Sequence, residues 1–357
     1  MQDYQRTNTR QITLGTVKIG GNAPISIQSM TNTSTSDVKA TLRQINDLKK
    51  AGCDIVRCAV LETRDAEKIK QIRKDCPMPL VADIHFDYKL ALLAIKNGVD
   101  GLRINPGNIG SIDKVKEVVA SVRDKGIPLR IGVNSGSLPK AILQKYGVTA
   151  EGLVEAALKH VRILEKLKFY ELKISVKASS VPLMIQSYRL LAQKVDYPLH
   201  LGVTEAGTEY SGIIKSSTAL GTLLSEGIGD TIRVSLTADP VREVIAAKEI
   251  LKALELRKGL NIVSCPTCGR TKINLIQLAG KVEAALLPYA DYPLTIAVMG
   301  CAVNGPGEAK EADFGIAGGV GEGLLFADGL IVKKVPEAML VQELVQMIRD
   351  RYPECKK

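Results

Sequence analysis

The strongest constraint on this chain is a rhythm in which short β-rich runs alternate with helical patterns eight times in succession. The runs fall at Ile25–Met30, Ile55–Val60, Leu80–Ile84, Gly101–Asn105, Leu129–Val133, Leu172–Lys177, Leu199–Val203 and Ile232–Leu236. Helical patterns follow them at Asp37–Lys50, Arg64–Lys74, Tyr88–Asn97, Ile112–Lys125, Ala150–Leu167, Pro182–Val195, Ile213–Glu226 and Pro240–Leu256. Ser111 and the Asp239-Pro240 pair read as helix starts, and Gly52, Gly98 and Gly126 as stops. Eight strand–helix units in about 250 residues is the count for an α/β fold of the (β/α)8, or TIM barrel, type. A doubly wound open sheet is the rival, but no G-x-G-x-x-G or Walker pattern follows the first run. Hydrophobic residues make up 45% of the chain while aromatics are only 4% and Trp is absent. The core is therefore aliphatic, as parallel sheets buried on both faces are. Ahead of the barrel, Gln11–Ile19 and Ile25–Met30 alternate around Gly20-Gly21, which predicts a hairpin leading into the first core strand.

In such barrels chemistry sits where strands end and their following loops begin. Those positions hold Arg57, Asp83, His85, Arg103, Asn105, Arg130, Asn134, Lys177, Glu205, Arg233 and Ser235. Cations gathered on one mouth repel unless something anionic sits among them. Arginine forks match phosphate oxygens two at a time, so the expected guest is a phosphorylated or diphosphorylated small molecule. For any one of these residues a salt bridge to a neighbouring carboxylate is the more ordinary role; the anion site is read from the set. Asp83-Ile84-His85 puts two titratable side chains on one side of an extended backbone, where His85 either donates to a phosphate or caps a loop. Glu205 is a carboxylate in a basic ring, serving as charge balance or as an acid or base facing the anion.

Beyond Gly259 the rhythm changes to a helix at Lys272–Leu287, a strand at Leu294–Met299, runs at Phe314–Ala317, Gly323–Phe326 and Gly329–Val335, and a last helix near Glu337–Arg351. This reads as a small α+β domain at 259–357 behind a barrel at 1–258. The glycine-rich stretch Ala317–Gly323 reads as a plain turn, since no Lys-Ser/Thr follows it. Two cysteine arms lie in this domain: Cys265-Pro-Thr-Cys268-Gly, and Gly300-Cys301-Ala-Val-Asn-Gly-Pro-Gly-Glu308. The C-x2-C spacing lets two sulfurs face one metal centre. A closed zinc site wants four Cys or His, yet His85, His160 and His200 are the only histidines, and Cys355 lies in a polar C-terminus. Three thiolates suit a [4Fe-4S] cluster whose last iron takes another kind of ligand; structural zinc and ordinary redox or buried cysteines stay open. Cys53, Cys58 and Cys76 lie in or beside apolar segments and read as inert core.

The net charge of +10 is uneven: 259–357 carries 10 Lys/Arg against 11 Asp/Glu, leaving 38 against 27 in 1–258. That excess favours an anionic partner for the barrel. No stacking aromatics interleave with the basic residues, which argues against nucleic acid. The absence of a secretory pattern or an apolar run of spanning length predicts a soluble, cytoplasmic protein with no membrane contact.

The two cysteine arms, with Ser29-Met30-Thr31, Arg103-Ile-Asn105-Pro-Gly-Asn108 and Val203-Thr-Glu205-Ala-Gly207, closely resemble the 4-hydroxy-3-methylbut-2-enyl diphosphate synthase family, in its short bacterial form. The likeness spans the whole chain. It implies reductive ring opening and dehydration of 2-C-methyl-D-erythritol 2,4-cyclodiphosphate in non-mevalonate isoprenoid synthesis, with electrons from reduced flavodoxin or ferredoxin. It implies a [4Fe-4S] cluster on Cys265, Cys268 and Cys301 with Glu308 as fourth ligand. It also implies that the basic barrel residues hold the cyclic diphosphate, and that Glu205 and Glu308 act in catalysis.

Chain geometry adds an expectation about assembly. A helix over Pro240–Leu256 descends about 25 Å away from the mouth. The eight residues Arg257–Ser264 reach roughly 27 Å at full stretch, barely enough to climb back. A homodimer that sets each cluster domain over the partner's barrel relieves this, and the resemblance points the same way.

Overall fold

The computed structural model describes residues 6–104, 109, 111–301, 307 and 310–353. Two compact units emerge, Met1–Leu256 and Arg257–Lys357. In the first, eight parallel strands form one sheet: β3 (Ser26–Met30), β4 (Ile55–Ala59), β5 (Leu80–Asp83), β6 (Gly101–Ile104), β7 (Leu129–Asn134), β8 (Leu172–Lys177), β9 (His200–Leu201) and β10 (Thr231–Ile232). They run in the order β8-β7-β6-β5-β4-β3-β10-β9, and a parallel bridge from Ile174 to Leu199 joins the two ends. The sheet is therefore a barrel, as the rhythm of the sequence predicts.

Helices follow the strands: α1 (Val38–Ala51), α2 (Thr63–Asp75), α3 (Tyr88–Lys96), α4 (Ile112–Lys125), α5 (Lys140–Tyr146), α6 (Ala150–Lys166), α7 (Val181–Ala192), α8 (Glu209–Ser225) and α9 (Pro240–Ala253). Capping explains their starts. The side chains of Asp37 and Ser180 accept from Ala40 N–H and Leu183 N–H, and Asp239 accepts from Val241 N–H ahead of Pro240. Ser111 holds the N-cap position of α4 without a side-chain cap bond. Gly52 and Gly126 end α1 and α4 in the left-handed region, where a side chain is strained. The sequence pattern does not predict short α5, and α8 starts four residues ahead of the expected Ile213.

Period-two alternation sorts each strand. Val56 and Cys58 on β4, Leu80 and Ala82 on β5, and Ile174 and Val176 on β8 face the helices and join one aliphatic core. Cys53, Cys58 and Cys76 lie in that core, and burial pushes the Cys53 and Cys58 thiols up to about 12 and raises Cys76 as well. These three are inert, as expected.

The predicted hairpin is placed differently. It lies wholly within β1 (Ile12–Leu14) and β2 (Val17–Ile19), which pair antiparallel, while Ser26–Met30 is already a barrel strand. The turn is at Gly15, whose φ of 57° a two-residue turn of this kind favours, rather than at Gly20-Gly21. Ile12, Leu14 and Ile19 pack against Ile55 and Val81, inward residues near the starts of β4 and β5. The hairpin thus plugs the bottom of the barrel with aliphatic side chains.

The second unit is a five-stranded mixed sheet, ordered β11 (Asn261–Ser264), β12 (Thr295–Met299), β13 (Phe314–Gly318), β14 (Glu322–Ala327) and β15 (Leu330–Pro336). Helix α10 (Leu275–Ala285) and the C-terminal helix Leu340–Arg351 cover it with a separate core that includes Val282, Ile296, Ile316, Leu344 and Ile348. Residues 319–321 are the turn of the antiparallel β13–β14 hairpin, so the glycine-rich stretch is a plain turn.

Candidate active site

The inward positions near the strand ends build a cavity of about 140 Å³. It is lined by Arg57 of β4, Asp83 of β5 with His85 beyond it, Arg103 of β6, Arg130 and Asn134 of β7, and Lys177 of β8. Arg233 and Ser235 line it from just past β10. Register explains the gathering. Asp83 pairs with Arg103, Arg103 with Arg130, and Asn134 with Lys177, so the parallel sheet sets them on one face at neighbouring levels. Gly202 is needed here, because a Cβ would stand 2.6 Å from Lys177 Nζ and 2.5 Å from the Arg233 carbonyl oxygen.

Two carboxylates tie part of this charge. Asp83 meets Arg103 at 3.0 Å, Arg57 at 3.5 Å and His85 at 3.6 Å. Against the burial that would raise it, Arg57, His85 and Arg103 hold the Asp83 carboxyl far below the usual carboxylate range. Glu243 of α9 faces Arg233 at 3.5 Å and accepts from the Ser29 hydroxyl at 3.1 Å and the Leu236 N–H at 3.0 Å. The Met30 sulfur accepts from Arg57 at 3.0 Å and meets Arg233 at 3.8 Å.

The rest of the charge is unbalanced. Nε and Nη1 of Arg130 and Nε of Arg103 are buried with no hydrogen-bond partner among the described residues. Burial, then Arg57 and Arg103, pull the Arg130 guanidinium well below its ordinary value; burial, then Arg130 and Arg233, do the same to Lys177. Arg57 is drawn down to about 10, chiefly by burial. Buried cationic donors without acceptors are costly unless a ligand completes them. A multiply charged anion would supply the acceptors these donors lack.

Three further residues were not singled out from the sequence. Ser175 and Thr204 line the cavity, and Lys173 lies buried one alternation below Ser175. The signal was there in Leu172–Lys177, where Lys173, Ser175 and Lys177 alternate on one face. Glu205 is exposed, takes a left-handed φ of 53° and stands outside the cavity lining. Its side chain has no hydrogen bond or ion pair among the described residues. Asn105 and Glu308 lie outside the described residues.

In the second unit, parallel pairing sets Ser264 beside Val298, so the two cysteine arms leave neighbouring strands at the same sheet end. The Gly300 N–H donates to Cys265 Sγ at 3.2 Å, and Cys265 and Cys301 are half-buried. Cys268 is exposed; the Arg270 backbone N–H, the Arg270 side chain and the Thr271 hydroxyl draw its thiol below the ordinary value. Such surroundings favour thiolate, the form that binds metal. No group of three His, Cys, Asp or Glu among the described residues is close enough to hold an ion. The residues after Cys301 that would complete such a set fall largely outside those described. The donor chemistry of the arms, soft thiolates held by backbone N–H groups, suits an iron–sulfur cluster.

The family model described as the GcpE TIM-barrel domain matches residues 9–248, and that of the GcpE protein C-terminal domain matches 261–350. The 4-hydroxy-3-methylbut-2-en-1-yl diphosphate synthase (flavodoxin) of Geobacter sulfurreducens is 62% identical over 342 residues, covering 95% of this chain and 97% of that protein. The enzymes of the same name from Ruminiclostridium cellulolyticum and Clostridium perfringens are 58% and 59% identical, covering 98% and 96% of this chain and 100% and 99% of their own. Among solved structures, a dihydropteroate synthase from Xanthomonas albilineans shares 12% identity at a TM-score of 0.48, covering 69% of this chain and 97% of its own. With both domains matched and relatives this similar along nearly the whole length, the chain belongs to the GcpE family of 4-hydroxy-3-methylbut-2-en-1-yl diphosphate synthases.

Proposed function

We propose that this protein is an oxidoreductase that opens the ring of 2-C-methyl-D-erythritol 2,4-cyclodiphosphate and removes water, giving 4-hydroxy-3-methylbut-2-enyl diphosphate. The observation that carries this reading is the set of buried, unpartnered nitrogens on the Arg130 and Arg103 guanidinium groups around one small cavity. A cyclic diphosphate supplies the missing negative charge and acceptors. Arg57, Arg103, Arg130, Lys177 and Arg233 hold its phosphate oxygens, and Asp83 keeps Arg57 and Arg103 aligned. Asn134, Ser235 and His85 orient the remaining oxygens. As the ring C–O bond breaks, charge grows on the departing phosphate, and prearranged cations stabilise that change without reorganising.

Cys265, Cys268 and Cys301 hold a [4Fe-4S] cluster, with Glu308 as the ligand to its fourth iron. When bound, the cluster supplies single electrons and an iron that acts as Lewis acid toward a substrate oxygen. Glu308 would be the hard oxygen donor of that set, a weaker ligand for iron than the thiolates. Glu205 holds or releases a proton at the mouth. The relatives' name supports reduced flavodoxin as electron donor, with ferredoxin as the chemical equivalent. No helix among the described residues is long and apolar enough to cross a membrane, which supports a cytoplasmic location.

We further infer a homodimer in which each barrel mouth works with the partner's cluster domain. The test is an anaerobic reaction of the cluster-loaded protein with dithionite and the cyclic diphosphate. The open allylic diphosphate is the expected product; binding without product under these conditions overturns the reading. Co-expressing a Cys265→Ser chain with an Arg130→Ala, Glu205→Gln chain tests the shared site. Mixed dimers regain partial activity if it is shared, and a purified heterodimer with none shows that each cluster serves its own barrel.

A further inference from the structure

Below the cavity the barrel interior stays polar. Lys173, Ser175 and Lys177 point inward at successive alternations of β8; the upper two line the cavity, and Lys173 is the rung beneath. Lys173 is only 2% exposed and its Nζ has no hydrogen-bond partner among the described residues. Its strand neighbour in register is Arg130, itself unpartnered at two nitrogens. On the strands closing that side, the His200 ring Nε2 and the side chains of Gln28 and Ser26 are likewise buried without partners. A lysine in this setting has nowhere to place a positive charge while the cavity is free of anion.

We propose that Lys173 is a positioning residue that takes up a proton when a diphosphate occupies the cavity above it, so that substrate binding and proton uptake are coupled. The inference rests on the anion-binding reading of the same cavity.

The groups facing Lys173 support it. Arg130 comes from β7 and Arg57 from β4, both guanidinium groups acting on Lys173; the His200 ring, held neutral chiefly by burial, comes from β9, and Lys177 lies two alternations up on β8. Arg103 stands beyond Arg130, while β3 and β10 present the uncharged Gln28, Ser26 and Thr231. Tyr188 of α7 and His160 of α6 lie with the helices against the strands. Asp83 and Glu243, the carboxylates that meet the cavity's arginines, are already held by them. Burial, then Arg130 and Arg57, bring the Lys173 ammonium down to about 7. An anion on Arg130 and Arg57 offsets their repulsion and adds an attraction that works against the effect of burial, and the amine then binds a proton from solvent. A charged Lys173 adds its field beneath the phosphates and holds Arg130 upward toward them.

Calorimetric titration of the cluster-loaded dimer with the cyclic diphosphate, anaerobic and without reductant, tests this at pH 8. The ligand suits the test because each of its phosphates is a diester-like group with only strongly acidic oxygens, so it exchanges no proton itself. Observed binding enthalpy plotted against buffer ionisation enthalpy gives the protons taken up. Wild type is expected to take up a large part of one proton. Lys173→Met and Lys173→Gln are expected to bind with an uptake smaller than wild type's by a large part of one proton, and with an affinity that depends less on pH between 7 and 9. Uptake unchanged in both variants, or zero in wild type that binds normally, overturns the proposal. If wild type gives no binding at all, the anion-binding reading itself falls, and this one with it.

Discussion

The barrel and the terminal domain handle reactive groups in opposite ways. In the barrel, Arg57, Arg103 and Arg130 sit on strands, nearly fully buried and fixed by sheet register before any ligand arrives. In the terminal domain, Cys265, Cys268 and Cys301 sit on the loops after β11 and β12, half-buried or exposed. The barrel's own cysteines sharpen the contrast: burial silences Cys53 and Cys58, while hydrogen-bond donors draw Cys268 toward thiolate. A small anion needs a rigid, water-poor cradle to discriminate charge. A cluster of the kind proposed for these thiols would supply its own covalent geometry, so its ligands would need only to reach it.

The largest effect that can break this comparison lies in the thiols. Cys265→Ser, Cys268→Ser and Cys301→Ser are expected to abolish both the cluster absorbance near 400 nm and turnover. Glu308→Ala should keep part of the absorbance and lose most turnover; wild-type activity in that variant removes Glu308 from the ligand set. Next comes Glu205→Gln, expected to lower kcat by about a hundredfold or more with little change in KM, as loss of a proton-handling group does. If only KM rises, Glu205 is a binding residue.

The smallest effect concerns stability. Between about 7 and 10.5 the unfolded chain protonates Lys173 while the folded barrel keeps it neutral. The unfolded state then binds more protons, so unfolding free energy rises with pH across that window, by about 1.4 kcal/mol per pH unit at most. Lys173→Met should remove this contribution, read as a flatter dependence of denaturant midpoint on pH than in wild type.

Much of the barrel was legible in the sequence because inward and outward positions alternate strictly along a strand. Arg57, Asp83, Arg103, Arg130 and Lys177 were found by taking the polar residues near strand ends, and the structure brings them to one cavity with His85, Asn134, Arg233 and Ser235. The same rule weakens past the strand. Beyond Leu201 the chain leaves β9 and turns through the left-handed Glu205, so Thr204 faces the cavity and Glu205 does not line it. Lys173 lies mid-strand, where a rule based on strand ends does not reach. Strand β11 is four partly or fully exposed residues whose strand character comes from parallel pairing with β12, a contact between segments more than thirty residues apart. The hairpin was misplaced because Gly20-Gly21 looks more like a turn than Gly15-Thr16, yet the side chains that fit the barrel floor, Ile12, Leu14 and Ile19, decide the pairing.

Titration of the cyclic diphosphate into two variants tests the division of labour most directly. Cluster-free Cys265→Ser is expected to bind it within about tenfold of wild type, since the cavity is prebuilt. Cluster-loaded Arg130→Ala is expected to keep its absorbance and lose binding by roughly 30-fold or more, the 2–4 kcal/mol range of a buried charge-assisted contact. Weak binding to the cluster-free variant with full binding to Arg130→Ala would contradict the account.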